Sequence, residues 1–161
     1  MRDFKKTSFL TKSAVIAAIY VVLTLLSALF GLSGGIIQLR LSEALTVLPI
    51  FTGSAVPGLF LGCLISNAVT GSALWDTLFG SAATLLGAIG TYYLRKKSLF
   101  TALLSPVISN MLIIPFILRY VYGAEGSLPF FVLTVGVGEF ICCEVLGSFL
   151  GKSLKKHKIE L

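Results

Sequence analysis

Ser13-Ala-Val-Ile-Ala-Ala-Ile-Tyr-Val-Val-Leu-Thr-Leu-Leu-Ser-Ala-Leu-Phe30 contains no charged residue, no Gly and no Pro. At about 1.5 Å rise per residue, a helix of this length covers about 27 Å, close to the hydrocarbon thickness of a bilayer. The stretch reads as a membrane span. A basic start precedes it (Arg2, Lys5, Lys6, Lys12), but no polar break ends the run, and more apolar segments follow. The pattern is that of a retained first span, not a cleavable signal. Composition agrees: of 161 residues, 56% are hydrophobic and 12% charged, with mean hydropathy +0.96. Soluble domains carry about 25% charged residues.

Working outward, the chain reads as one membrane domain, residues 1–161, with spans at about 12–30, 41–51, 58–69, 75–94, 99–120 and 128–150. Turn residues separate them: Gly31-Leu-Ser-Gly-Gly35, Thr52-Gly-Ser-Ala-Val-Pro57, Thr70-Gly-Ser-Ala73 and Gly123–Ser127. The second and third spans are short for a bilayer of about 30 Å, so one of them is expected to be tilted, broken or buried in protein.

The net charge of +6 orients the chain and does not point to nucleic acid. All Lys and Arg except Arg40 and Arg119 fall in three clusters: the N-terminal start, Arg95-Lys96-Lys97, and Lys152, Lys155, Lys156, Lys158. Basic clusters mark cytoplasmic loops. Six spans with both termini cytoplasmic put all three inside. The expectation is an all-α, six-helix bundle in the bacterial plasma membrane, and anionic lipid at the inner surface is a secondary partner. Cys63, Cys142 and Cys143 lack metal-ligand spacing and read as buried small apolar side chains. No nucleotide loop, zinc signature or serine-hydrolase elbow occurs, so neither a cofactor nor a metal is expected.

Four acids sit within these apolar stretches: Glu43, Asp76, Glu139 and Glu144. A charge at the centre of a membrane helix costs about 2.5–3.5 kcal/mol on insertion scales, so such residues face a cavity, a pathway or a partner. Glu139 lies eleven positions into the last span, about 16 Å deep. Asn110 reaches a similar depth from the other side. Glu43 and Arg40 open the second span, Asn67 closes the third, and Trp75-Asp76 opens the fourth, all at the outer side. Simpler readings stand beside the functional one. Asp76 suits a helix N-terminus. Arg40 could pair only with Glu43, and Asn67 and Asn110 could be interhelical hydrogen-bond glue. Trp75, Tyr120 and Tyr122 could be an aromatic belt. Glu144 points away from Glu139 and is left out of the site.

Several stretches carry a family resemblance. Leu39-Arg-Leu-Ser-Glu-Ala-Leu-Thr-Val-Leu-Pro-Ile-Phe51, Ala55-Val-Pro-Gly-Leu-Phe-Leu-Gly-Cys-Leu-Ile-Ser-Asn67, Leu74-Trp-Asp-Thr-Leu-Phe-Gly-Ser-Ala-Ala-Thr-Leu-Leu86 and Gly136-Val-Gly-Glu-Phe-Ile-Cys142 resemble the QueT family. That family comprises queuosine-precursor substrate-binding (S) components of energy-coupling factor (ECF) transporters, a class of ABC importer. The resemblance covers about residues 12–152. It implies a six-helix subunit that captures a 7-deazaguanine (preQ1, preQ0 or queuine) in an outward-facing pocket under the loop between the first two helices. It also implies docking on a transmembrane coupling protein driven by two ATPase subunits, with Ala14 and Ala18 matching a docking motif on helix 1. The chain itself would then not be an enzyme.

Set against such a ligand, Glu139 or Glu43 suits the N–H donors of the guanine-like edge, since a carboxylate accepts two in parallel. Asp76 suits an aminomethyl cation. Asn110, Asn67 or Arg40 suits the carbonyl, and Trp75 a stacking role. The alternatives are an S component for another vitamin, an ion-coupled carrier with Glu139 moving a proton, and a small membrane enzyme. The lone His157, in the basic tail, speaks against the enzyme.

Overall fold

The structure is a computed structural model and describes residues 2–33 and 37–157. These residues form helices and no strands. Helix α1 (Arg2–Leu29) is followed by a 3₁₀ segment (Leu41–Ile50), α2 (Ala55–Val69), α3 (Leu74–Leu94) and α4 (Leu99–Tyr120). The last helical run comprises α5 (Leu128–Glu139), a π segment (Phe140–Leu146) and α6 (Gly147–Lys156). Three stretches are long and apolar enough to cross a membrane: Lys5–Leu29, Leu99–Tyr120 and Leu128–Lys156.

Boundaries differ from expectation for local reasons. Helix α1 begins at Arg2, not near residue 12, because its basic start is itself compatible with a helix. Helix α2 begins at Ala55 and takes Pro57 into its first turn, where a missing N–H has no helical acceptor to lose. The final run continues to Lys156 and carries the basic tail as its exposed last turns, with Lys158 lying outside the described residues.

The short second span is the centre of the molecule. Ser42, Glu43, Leu45, Thr46, Val47, Leu48 and Pro49 are all buried. The segment packs against α1, α2, α3, α4, α6 and the π segment. At about 2 Å rise per residue it spans only about 20 Å, and 3₁₀ runs longer than three or four residues are uncommon. It persists because protein, not lipid, surrounds its backbone. Pro49 withholds one N–H, and Thr46 Oγ1 donates to the Glu43 carbonyl at 2.6 Å.

Helix α1 presents one stripe inward: Ser13, Ile16, Ala17, Tyr20, Thr24 and Ser27. Its hydroxyls bond to the central segment and its flanks. Thr24 Oγ1 donates to Ser42 Oγ at 2.8 Å, the Leu41 N–H donates to Ser27 Oγ at 2.9 Å, and Ser13 Oγ donates to the Ser54 carbonyl at 2.9 Å. Membrane helices gain little hydrophobic energy by associating, so close approach matters. A Cβ on Gly62 would lie 2.7 Å from Tyr20 Cβ, and one on Gly58 2.8 Å from the Ser13 carbonyl oxygen. Those two glycines let α1 and α2 touch backbone to backbone.

Helices α3 and α4 make the closest pair along their length. Pro106 cannot donate to the carbonyl of Ala102 one turn back, and Thr91 Oγ1 of α3 takes that acceptor at 3.1 Å. The basic clusters gather at one end. There the α1 residues Lys5 and Lys12 flank Thr52 and Ser54, Gly53 meets Tyr92, and Gly151 meets Leu99. The 70–74 and 121–127 connections lie at the other end, where the Ala73 N–H donates to Tyr122 Oη at 3.1 Å.

Candidate functional site

A cavity of about 560 Å³ opens at the end opposite the basic clusters. Its polar walls come from Arg40 and Gln38 ahead of the 3₁₀ segment, Asn67 at the end of α2, Asp76 at the start of α3, and Tyr122 after α4. Part of the loop expected over the pocket, residues 34–36, lies outside the described residues.

A narrow slot runs inward beneath the cavity, with space for about one water, about 20 Å³. Gln38, Arg40 and Ile114 line both spaces, and the slot adds Glu43, Asn110, Val135 and Glu139. The two acids of the slot are placed by irregular backbone. Glu43 is in the first turn of the 3₁₀ segment. Asn110 stands on α4 between Pro106 and Pro115. Glu139 ends α5 where the π segment begins, and the widened turn brings Cys143 Sγ to 3.3 Å from Glu139 Oε2. Gly138 admits the slot's roof, since a Cβ there would collide with the Gln38 carbonyl oxygen.

The hydrogen bonding is incomplete in an informative way. The Tyr20 hydroxyl donates to Glu43 Oε1. Glu43 Oε2 has no partner, although Glu43 is only 2% exposed. Asn110 is 3% exposed and its Nδ2 makes no hydrogen bond of good geometry, although it stands close to the Glu139 carboxylate. Buried polar atoms are paired in the great majority of cases, so these two atoms mark the slot as a place for a polar guest, a water or a ligand group. Outside the slot, Arg40 Nη1 reaches Asn67 Oδ1 at 3.5 Å, and Asn67 Nδ2 faces Cys63 Sγ at 3.6 Å. The Tyr122 hydroxyl donates to Asp76 Oδ2 at 2.7 Å. Burial raises the Tyr122 phenol above its ordinary pKa and Asp76 adds to this, against the Ala73 N–H, so it stays a donor.

Ligand atoms of Glu43, Glu139 and Cys143 lie within 4.8 Å of one another, a spacing a metal ion could bridge. The Arg40 guanidinium lines the same slot, and its fixed charge opposes a divalent cation there.

The structure thus brings Arg40, Asn67 and Asp76 to the cavity and Glu43, Asn110 and Glu139 to the slot beneath it. It does not bring Trp75. That ring is 55% exposed, stacks on Phe79 at 5.8 Å between centroids, and lines a separate apolar groove between α3 and α4. Glu144 is buried with Oε1 unpartnered, and it lines neither space. Ala14 and Ala18 are exposed on the face of α1 turned away from α2. Gln38 and Tyr122 line the cavity and Tyr20 holds Glu43, and sequence reasoning missed all three. For Tyr20 a signal existed: Thr24 and Ser27 follow at helical spacing on the same face.

Comparison with known proteins identifies the lineage. Residues 10–156 match the QueT transporter family. The chain belongs to the QueT family. It is 30% identical over 169 residues to a queuosine precursor transporter QueT from Lactococcus lactis subsp. cremoris, covering 94% of this chain and 95% of that one. No solved structure matches. Membership of QueT together with the three span-length apolar helices makes this a multi-pass protein of the cell membrane, with a small-molecule substrate.

Proposed function

We propose that this QueT chain is the substrate-binding subunit of an ECF-type importer. It captures a 7-deazaguanine precursor of queuosine from outside and releases it inside when docked on an ATP-driven coupling module. The single observation that carries the ligand assignment is the unpaired couple in the slot, Glu43 Oε2 and Asn110 Nδ2. A guanine-like edge presents N–H donors beside a carbonyl acceptor. Glu43 accepts the donors and Asn110 donates to the carbonyl, so both orphaned atoms are satisfied together. The slot is too small for a ring, so the ring body occupies the outer cavity and only its polar edge reaches inward. Glu139, across the slot, supplies a second carboxylate to the same edge.

Orientation and energy coupling rest on the ends and faces of the bundle. All three basic clusters share one end, which favours a cytoplasmic assignment for both termini and six crossings. The cavity then opens outward. Within the membrane the central 3₁₀ segment and α2 count as crossings whose short backbones other helices cover. The exposed Ala14/Ala18 face of α1 offers a second helix a close approach, as small residues do, and suits the coupling protein.

Mass spectrometry of small molecules co-purified with the detergent-solubilised protein tests the ligand. A 7-deazaguanine supports the reading, and a flavin, thiamine or another vitamin overturns it. Uptake that is lost with the ATPase module and survives an uncoupler supports ATP coupling. The reverse pattern makes the protein an ion-coupled carrier.

A further inference from the structure

We infer that the basic end of the bundle carries a binding site for the phosphate headgroup of an anionic phospholipid, set between the start of α1 and the turn that leads into α2. The site is separate from the cavity and slot described above and does not depend on the 7-deazaguanine reading.

A cavity of about 330 Å³ is lined there by Lys5, Ser8, Phe9 and Lys12 of α1 and by Thr52 and Ser54 of the turn. The four α1 residues follow one another at i, i+3, i+4 and i+7, so they share one helix face, with the two lysines two turns apart on it. No described carboxylate lines this cavity. Glu43 and Glu139 line the slot, Asp76 lines the outer cavity, and Glu125 follows α4 at the far end. An ammonium offers three donors and no acceptor, so the two lysines together call for an anion that the lining residues do not supply.

Hydroxyl groups and a helix end complete the cradle. Ser54 is 1% exposed, and its Oγ lies 2.8 Å from Thr52 Oγ1. One hydroxyl donates in that pair, which leaves the other O–H to donate to a guest. Ser54 is also the N-cap of α2 and makes no side-chain cap bond, so the positive end of that helix adds to the lysines. Arg95 stands behind the same turn: its guanidinium lies 3.9 Å over the Tyr92 ring, and that ring is what a Cβ on Gly53 would meet. A phosphodiester, negative and rich in acceptor oxygens, matches this set of charges and donors.

Depth selects a lipid as the source of the phosphate. Lys12 immediately precedes the uncharged run Ser13–Phe30, so the cavity sits where the apolar span meets water, at the level of the headgroups. Phe9 is 45% and Leu10 67% exposed, and both offer apolar surface to the first part of an acyl chain. A lipid held here bridges α1 and the entry to α2.

The test is native mass spectrometry of the full chain equilibrated with equal amounts of phosphatidylglycerol and phosphatidylcholine. The wild-type chain is expected to retain one phosphatidylglycerol in preference to phosphatidylcholine. Lys5→Gln with Lys12→Gln is expected to weaken that binding about tenfold. Lys96→Gln with Lys97→Gln removes the same charge from the same end and is expected to change it by less than about twofold. Thr52→Val changes no charge and is expected to weaken it about threefold. Equal retention of the two lipids overturns the inference. So does an equal loss from both lysine pairs, or wild-type binding by Thr52→Val, since either marks diffuse attraction and not a built site. Displacement of the lipid by soluble glycerol phosphate overturns the lipid as the source.

Discussion

The Tyr20 hydroxyl donates to Glu43 Oε1, joining α1 to the 3₁₀ segment at the floor of the site. One carboxylate oxygen is thereby held and the other, Oε2, is left without a partner. Tyr20 is 1% exposed and its ring packs against Gly62 of α2, so its position is fixed by packing and transmitted to Glu43.

Tyr20→Phe removes this donor and keeps the ring. A second oxygen of a buried carboxylate is then unpaired, at a cost of about 1–3 kcal/mol. Ligand affinity is expected to fall about tenfold, with helix content unchanged by circular dichroism. Affinity equal to wild type would show that Tyr20 packs but does not position Glu43.

Gly138 holds the loop that carries Gln38 and Arg40 against α5. Gly138→Ala forces the Gln38 carbonyl away and moves both side chains out of the slot. A loss of affinity of about tenfold or more is expected from the roughly 1–3 kcal/mol of overpacking and lost contacts. Gly53→Ala, at the basic end, meets Tyr92 at an ordinary 3.4 Å and should leave affinity unchanged. Titration of both variants with the same 7-deazaguanine decides between them.

Thr91 compensates for Pro106 by donating to the Ala102 carbonyl. Thr91→Val keeps the shape and orphans that carbonyl. Buried hydrogen bonds between membrane helices contribute about 0.6 kcal/mol on average and up to about 1.7. A lower Tm in detergent is expected, with ligand affinity unaffected because Thr91 is remote from the cavity lining.

Ala14 and Ala18 lie on the free face of α1. Ala14→Leu with Ala18→Leu should abolish uptake in cells that carry the coupling module, yet leave binding by the isolated protein intact, since neither side chain lines the site. Normal uptake would place the docking face elsewhere.

The polar site was legible where the membrane makes polarity expensive. Glu43, Asn110 and Glu139 stand out because each interrupts an apolar stretch, and all three line the slot. Their backbone forms were not legible. A Pro49 inside an apolar run signals a break but does not distinguish a 3₁₀ segment from a kinked helix, and the π segment is a shift in hydrogen-bond register with no compositional mark. Trp75 illustrates a geometric limit. Neighbours on an α-helix project about 100° apart, so with Asp76 turned to the cavity the adjacent Trp75 faces the outer groove. Tyr122 read as part of an aromatic belt because its hydroxyl contact with Asp76 joins residues far apart in the chain.

In the proposed function, Glu43 Oε2 and Asn110 Nδ2 together read the polar edge of a 7-deazaguanine. The most direct measurement is the affinity of one such base for the wild-type chain, Glu43→Gln and Asn110→Leu, all in nanodiscs and all checked for folding. Each substitution removes one side of the complementary couple, the first a charge-assisted bond of about 1.5–3 kcal/mol. Losses of about ten- to a hundredfold for Glu43→Gln and about tenfold for Asn110→Leu are expected. Wild-type affinity in both variants would contradict the account.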